Sequence, residues 1–171
     1  MDKPLHKDVC EEHIFGKIHQ KYAKDLHDFI YYKFGNEADA NDKVQHAFLK
    51  LWENCKKVSL DKAKSFLFSV ANNATLNVMK HKKVVLKYQK QPQKTSTQID
   101  PQHVLEEKEY LQKFQNALAR LTPEKRVTFM MNRVEGKSHQ EIADLEGISK
   151  KAVEKRIYTA LKQLKEELGE F

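Results

Sequence analysis

The chain has few of the residues that interrupt helices, cross-link a fold or anchor it in a membrane. Its 171 residues include 5 glycines and 4 prolines, so long helices can run with few breaks. With only 2 cysteines, Cys10 and Cys55, a disulfide framework is not expected, and a reducing cytoplasm is the predicted location. No signal peptide is predicted, and no stretch approaches the roughly 20 apolar residues that span a bilayer.

Positive charge is what the chain has in excess. It carries 31 lysines and arginines against 24 aspartates and glutamates, a formal net charge of +7. This balance suits a polyanionic partner, either nucleic acid or an acidic membrane, although a merely soluble basic protein has the same composition. The length allows one ordinary domain or two small ones.

Apolar residues recur at helical spacing from about residue 13 to residue 83. Val44, Phe48, Leu51 and Cys55 lie on one face of a helix. The Gly35–Asn36 pair separates this helix from the one before it, because glycine and asparagine favour turns. The pattern predicts three long helices packed as one small bundle.

A polar stretch at residues 89–98, with one proline and no apolar residue, predicts a linker. Helical patterning resumes at Val104. The sequence therefore predicts an all-α protein of two small helical domains joined by a flexible linker. The predicted segments are an N-terminal extension at 1–12, a first domain at 13–84, the linker at 85–103 and a second domain at 104–171.

The second domain carries helix-boundary residues at motif spacing. Thr122 is a predicted N-cap before Pro123, and Ser138 with Glu141 forms a predicted capping box. Gly147 permits a left-handed turn. The expected inward-facing residues are Ile142, Ala143, Ile148, Val153 and Ile157. This pattern is typical of a helix-turn-helix whose last helix enters a DNA groove, with an ordinary helical hairpin as the alternative.

The predicted recognition helix begins at the Ser149 cap and has a polar outward face. Lysine and arginine can donate to guanine edges and glutamate can accept from cytosine, while other cations contact phosphates. A solvated basic face is the alternative for any one lysine. The candidate DNA contacts are Ser149, Lys150, Lys151, Glu154, Lys155, Arg156 and Tyr158.

Several stretches, in this order along the chain, resemble bacterial sigma factors. Residues 40–52 resemble the second conserved region of the extracytoplasmic-function subfamily, and residues 66–83 resemble its helix that reads the downstream promoter element. Residues 121–126, 135–138, 141–143 and 147–153 resemble the fourth conserved region. The run 152–157 is similar to the iron-citrate-type subgroup common in Bacteroidetes.

The resemblance implies a sigma factor that is not an enzyme and needs no cofactor, metal or small-molecule substrate. Its implied partners are core RNA polymerase, double-stranded promoter DNA with its melted strand, and an anti-sigma factor. It implies polymerase contacts at Asp42, Gln45 and His46, although His46 stands where an acidic residue is usual. The loop 58–64 corresponds to a pocket for a flipped base. The implied downstream-element contacts are Asn73, Asn77, Lys80, Lys82 and Lys83.

Three residues depart from the family pattern or from a contact role. Trp52 is expected in the core, because its neighbours Phe48 and Leu51 are apolar. Phe66 replaces a usual tryptophan and is also expected in the core. Glu146 stands where an apolar residue is usual, so either the short helix is rotated or Glu146 stays solvated at its end.

Two other functions are compatible with parts of the sequence. A stand-alone helix-turn-helix regulator with a sensing first half would bind its operator without polymerase. His27–Asp28 with His19 is similar to helical metal phosphohydrolases, but further ligands at matching positions are not found, nor is a glycine-rich phosphate loop. His6, Cys10 and His13 have metal-ligand spacing near a terminus, where such residues are more often solvated.

Overall fold

The computed structural model describes residues 9–76 and 101–169, which form seven α-helices and one 3-10 turn. The first group is α1 (Glu12–Phe34), α2 (Glu37–Glu53), the turn Leu60–Lys62 and α3 (Ala63–Leu76). The second group is α4 (Pro101–Arg120), α5 (Pro123–Arg133), α6 (His139–Glu146) and α7 (Lys150–Leu168). The predicted all-α class is confirmed. The polar stretch at 89–98 lies outside the described residues, and α4 begins before the predicted restart at Val104.

The first three helices pack on one another as the predicted bundle. Gly35 ends α1 in the left-handed conformation, with φ 75°, and its N–H donates to the carbonyl of Tyr31 at 2.7 Å. The Asn36 side chain then caps α2 by accepting from the N–H of Asp39. The predicted break at this pair is confirmed. Fully buried side chains at the centre of the bundle are Leu26, Ile30, Leu51 and Leu67.

In the second half, α5, α6 and α7 form a compact unit, and α4 packs along α7. Thr122 caps α5 with Pro123 in its first turn, as predicted. Apolar residues from each helix meet in the core of this unit, so none of these short helices has to be stable alone. The buried set includes Leu118, Met131, Ile142, Val153 and Leu164.

A buried arginine joins the two halves. Arg126 lies on α5, is 1% exposed and donates to the carbonyls of Tyr32 and Lys33 at the end of α1, both at 2.6 Å. It also donates to the carbonyls of Leu118, Ala119 and Leu121 at the end of α4. The last carbonyls of a helix lack intrahelical partners, so one guanidinium satisfies two helix ends.

Burial lowers the pKa of Arg126 to about 10, which still leaves it cationic at neutral pH. The charge is compensated by carbonyl dipoles, and the negative ends of two helix dipoles favour a cation at this position. Burying the Arg126 guanidinium without these carbonyls would be costly. The orientation of α5 against α1 therefore depends on keeping the carbonyls within reach of Arg126.

Ion pairs surround this contact on the surface. Lys24 on α1 contacts Glu135, which follows α5, at 2.6 Å, and the Tyr32 hydroxyl donates to the same carboxylate. Lys137 contacts Asp25 at 2.7 Å. Each pair joins the first half of the chain to the second, so the polar groups specify how α1 and α5 pack.

The structure contains one disulfide, although the low cysteine count predicts no disulfide framework. Cys10 and Cys55 form a disulfide with Cα atoms 5.0 Å apart. Val9, beside Cys10, is buried in the same bundle. The end of the predicted N-terminal extension is thus joined to the turn that follows α2. The two cysteines are 45 residues apart along the chain, and only the packing of α1 on α2 brings them together. Their spacing in the sequence therefore does not predict the bond.

We expect Arg126→Met to lower the free energy of unfolding by about 3 kcal/mol, because the carbonyls at both helix ends lose their buried donor. Urea titration followed by circular dichroism measures the change. Arg133→Met, at an exposed position of the same helix, is the matched control. Equal urea midpoints for the two variants would show that the buried guanidinium does not hold the halves together.

Glu135 predicts a pH dependence of stability. Burial raises the pKa of Glu135, but hydrogen bonds from Lys24 and Tyr32 outweigh it, and the net pKa lies below the ordinary 4.5. A carboxylate with a lowered folded pKa stabilises the fold above about pH 4.5, and this contribution is lost as the pH falls through the folded pKa. We expect Glu135→Gln to be less stable than wild type at pH 7 and the difference to shrink by pH 3.

Urea titrations of both proteins across this pH range measure the effect. Glu166→Gln, at an exposed position of α7, should stay parallel to wild type throughout. A constant difference between wild type and Glu135→Gln at every pH would contradict the assignment.

Candidate nucleic-acid interface

The helix-turn-helix is built from the caps that the sequence predicts. The Ser138 hydroxyl accepts from the N–H of Glu141 at 3.2 Å, and the Glu141 carboxylate accepts from the N–H of Ser138 at 2.8 Å. Gly147 has φ 68°, and the N–H of Ile148 reaches back to the carbonyl of Ala143. The capping box and the turn glycine are confirmed: the capping box begins α6, and the turn at Gly147 and Ile148 sets the angle between α6 and α7.

Burial of the motif also follows the prediction. Ile142, Ala143, Val153 and Ile157 are buried, and Ile148 packs partly buried against them. The Ser149 hydroxyl accepts from the N–H of Ala152 at 3.2 Å and so caps α7. With these residues facing inward, the opposite face of α7 is free to meet a partner.

That opposite face of α7 is exposed and mostly cationic. Tyr158 is 70% exposed, an unusual position for an aromatic ring without a partner surface. Glu154 lies 3.7 Å from His139 of α6, an exposed pair of little energetic value. The predicted contacts that are exposed here are Ser149, Lys150, Lys151, Glu154, Lys155 and Tyr158.

Arg156 is the remaining predicted contact on α7, and it forms an ion pair with Glu146. The guanidinium donates to the Glu146 carboxylate at 2.6 Å, and Thr128 donates to the same carboxylate at 2.7 Å. The Glu146 side chain is only 5% exposed, so of the two alternatives for this residue, the one in which it stays solvated is wrong. Burial raises the pKa of Glu146, although Thr128 and Arg156 oppose the rise.

This cluster links α5, α6 and α7 through one carboxylate, and so replaces the apolar contact that the sequence pattern led us to expect. It also positions Arg156 at the edge of the exposed face of α7. DNA contact by Arg156 stays a prediction.

The promoter-reading candidates on α3 are only partly within the described residues. Asn73 is exposed, whereas the adjacent Asn72 accepts a hydrogen bond from Lys33 of α1 at 2.7 Å. Phe66 is partly buried against the core, as expected. The other candidates lie outside the described residues: Asn77, Lys80, Lys82 and Lys83.

A continuous exposed stripe runs along α2. Asp42, Gln45 and His46 are exposed on one face, and the face continues to Leu49 and Trp52, which are 62% and 46% exposed. The prediction that Trp52 is a core residue is wrong, although its ring packs edge-on against Phe15. Adjacent exposed apolar side chains beside polar groups are typical of a protein-binding surface.

An open cleft of about 970 Å³ lies between the start of α1 and the turn after α2. Its walls include apolar residues of the bundle and one carboxylate, Asp61, but most of its charged groups are lysines: Lys17, Lys21, Lys56 and Lys57. Sequence reasoning missed this cleft. Its only sequence signals are the Lys17 and Lys21 pair at helical spacing and the adjacent Lys56–Lys57.

Within 9–76 and 101–169, no three His, Cys, Asp or Glu side chains come together in an arrangement that could hold a metal ion. Cys10 is bonded to Cys55, and His6 lies outside these ranges. Every helix in the same ranges is too short or too polar to cross a lipid bilayer.

The chain is similar to known proteins at the level of families and folds. Residues 18–84 match the family "Sigma-70 region 2" and residues 111–164 match "Sigma-70, region 4". No curated protein sequence matches the chain.

Two solved structures share the fold. CnrH, in complex with the cytosolic domain of CnrY, is 21% identical, with a TM-score of 0.57, and the alignment covers 92% of this chain and 89% of CnrH. The sigma factor RpoE of Bartonella quintana, in complex with the anti-sigma factor NepR, is 20% identical, with a TM-score of 0.56 and coverage of 90% and 96%.

The two matched ranges belong to the same family, occur in the expected order and together cover more than two thirds of the chain. Each range coincides with one of the helical units described above, and the second contains the capped helix-turn-helix. The chain therefore belongs to the sigma-70 family and is a sigma factor, the kind of subunit that directs RNA polymerase to promoters.

Proposed function

We propose that this sigma factor belongs to the extracytoplasmic-function subfamily, and that it binds core RNA polymerase through α2 and the upstream promoter element through α7. One observation carries the proposal: each of the two matched regions exposes the face that its task requires. The α2 face is mixed apolar and polar, as a protein partner needs, whereas the α7 face is cationic, as DNA needs.

The polymerase contact is assigned to the stripe on α2. Asp42, Gln45 and His46 provide acceptors and donors one helical turn apart, and Leu49 and Trp52 add exposed apolar area beside them. Apolar side chains at the centre of such a patch supply most of the binding energy, while the polar groups set orientation.

The upstream contact is assigned to the exposed face of α7. Lys151, Lys155 and Tyr158 lie on that face within the first turns of the helix, where a recognition helix meets base edges. Lys150 and Ser149 lie at its N-terminus, which suits phosphate binding. The buried Glu146 pair holds Arg156 beside this face and so fixes its direction.

The downstream contact is assigned to the end of α3 and the residues that follow. Asn73 is exposed, and an amide can both donate to and accept from a base. Asn77, Lys80, Lys82 and Lys83 extend the assignment by family resemblance alone. The loop 58–64 is assigned to the melted strand, where a base extruded from the stack would be read.

Under this proposal the chain divides into a polymerase and downstream-element domain at 13–84 and an upstream-element domain at 104–171, joined by 85–103. Both similar structures are complexes with a partner, and RpoE is bound there to an anti-sigma factor. We infer that this chain also binds an anti-sigma factor. We further propose that it acts in the cytoplasm and has no catalytic activity of its own. The iron-citrate-type subgroup is the narrower assignment that we propose.

The competing function is a stand-alone helix-turn-helix regulator. Such a protein would leave no reason for the exposed Leu49 and Trp52 on α2. In vitro transcription with purified core polymerase on a genomic library distinguishes the two, because only a sigma factor enables the core to initiate at specific promoters. Specific DNA binding that is equally strong without core polymerase would overturn the proposal.

We expect the double variant Lys155→Ala with Tyr158→Ala to lose transcription from promoters found in that experiment, while binding to core polymerase is unchanged. Each lost phosphate contact should also reduce the slope of log affinity against log salt by about 1. Lys165→Ala, in the last turn of α7, is the matched control. Unchanged transcription by the double variant would remove α7 from the recognition role.

We expect Asp42→Ala with Gln45→Ala to weaken binding to core polymerase about tenfold, since about 1.4 kcal/mol of polar contact is lost. Fluorescence titration of labelled protein with core, without DNA, measures the affinity. Asn41→Ala, also exposed on α2, is the control. If the double variant binds as tightly as the control, the polymerase contact lies elsewhere.

A further inference from the structure

The N-terminal segment is attached to the promoter-reading side of the first bundle at one covalent point. Cys10 precedes α1 and is bonded to Cys55, which follows the α2 cap Asn54. Val9 is buried beside it. These contacts hold the segment before α1 against the end of α2, the helix that carries the proposed polymerase contact.

Cys55 also lies three residues before the start of the loop 58–64. The N–H groups of Lys57 and Val58 both donate to the carbonyl of Asn54, at 2.8 and 3.1 Å, so the chain turns tightly on leaving α2. Two half-buried side chains hold this turn to the bundle, Cys55 and Val58. Leu60 beyond them is exposed. The disulfide is thus the strongest attachment between the start of this loop and α1.

The open cleft that is lined by Lys17, Lys21, Lys56 and Lys57 is also lined by residues of this turn and loop. Val9 and Cys55 line it together with Val58 and Leu60 of the loop, and lysines of both α1 and the turn also line it. Lys17, Lys21, Lys56 and Lys57 outnumber Asp61 in this cleft, so its net charge is positive, and the lysines of the turn are repelled by the lysines of α1. The Cys10–Cys55 disulfide therefore joins the segment before α1 to a turn whose lysines are repelled by the lysines of α1.

We propose that Cys10 and Cys55 form a reversible thiol–disulfide site, a redox latch that holds the loop 58–64 in its promoter-reading position. The inference rests on the proposed function, because it is that function that gives the loop a DNA strand to read. Cytoplasmic disulfides are typically transient and redox-sensing. Both cysteines are half-buried, so a low-molecular-weight thiol can reach them.

The chemistry is thiol–disulfide exchange. On oxidation, the thiolate of one cysteine attacks a low-molecular-weight disulfide and releases one thiolate from it. The thiolate of the second cysteine then attacks the mixed disulfide, forms the Cys10–Cys55 bond and releases the second thiolate. The two protons that the cysteines lost are taken up by the two released thiolates. A dithiol reductant reverses both steps.

The latch acts by ordering the loop in advance. Closing the bond leaves the loop with fewer conformations to lose when a single strand binds, so the oxidised form binds the melted strand more tightly. Opening it lets the start of the loop leave α1, and the lysine repulsion favours that movement. The oxidised protein is therefore the more active form at a promoter.

Limited proteolysis with trypsin tests the latch without DNA or polymerase. Lys56, Lys57 and Lys62 are exposed around the loop, and mass spectrometry reports cleavage after each. We expect cleavage there to be at least about fivefold slower in the oxidised full-length chain than in the same chain treated with dithiothreitol. Cleavage after Lys113 on α4 is the internal control and should not change.

The chain has 2 cysteines, so alkylation mass reports this pair alone. Cys10→Ser and Cys55→Ser should each be cleaved at the reduced rate in both buffers. Equal loop cleavage in oxidised and reduced wild type, alkylation of both cysteines after oxidation, or a disulfide-linked dimer on a non-reducing gel would each overturn the latch. The comparison of two states of wild type holds even if a serine variant fails to fold.

In vitro transcription in glutathione buffers of defined ratio tests the consequence. We expect wild type to be at least about threefold more active when oxidised, while the Cys10→Ser, Cys55→Ser double variant has one activity in both buffers. The double variant also corrects for any redox response of the core enzyme. Equal activity of both wild-type states, with slow loop cleavage when oxidised, would overturn the link from latch to promoter. Absence of core-dependent transcription in either state would instead overturn the proposed function and leave the proteolysis result intact.

Discussion

The relation between the two halves of the protein depends on one buried cation. Arg126 donates to the final carbonyls of α1 and of α4, two helices that are far apart in sequence. A buried guanidinium that lost these acceptors would face a large desolvation cost, so its satisfaction favours one arrangement of α5 against α1. The apolar contacts between the helices add stability but are less directional. The position of the helix-turn-helix against the bundle follows from this contact, because α5 leads directly into it.

Charge within the protein serves two separate purposes. Buried or half-buried charges hold elements together: Arg126 joins α5 to α1 and α4, and Glu146 joins α6 to Arg156 of α7. The exposed Lys151 and Lys155 are not needed to hold α7 in place, because Val153 and Ile157 anchor its other face. A recognition face can therefore lose a lysine without unfolding, whereas the Glu146 cluster cannot lose its carboxylate without leaving Arg156 half-buried and unpaired.

In the first bundle, one short turn lies between the exposed stripe of α2 and the loop before α3. The exposed stripe of α2 ends at Trp52, and the turn that follows contains Cys55 and opens into the loop before α3. A change at that turn reaches the end of α2 and the start of the loop together. The bond between Cys10 and Cys55 joins this turn to the segment before α1.

The sequence by itself determined the helices, their caps and the family. Gly35, the capping box of Ser138 and Glu141, and Gly147 act through neighbours in the chain, and local hydrogen bonds of this kind are readable from spacing. Only the tertiary structure decided the Cys10–Cys55 bond, the exposure of Trp52, the burial of Glu146 and the role of Arg126. Each depends on which residue of a distant helix lies opposite, and residue spacing along one helix carries no information about that partner.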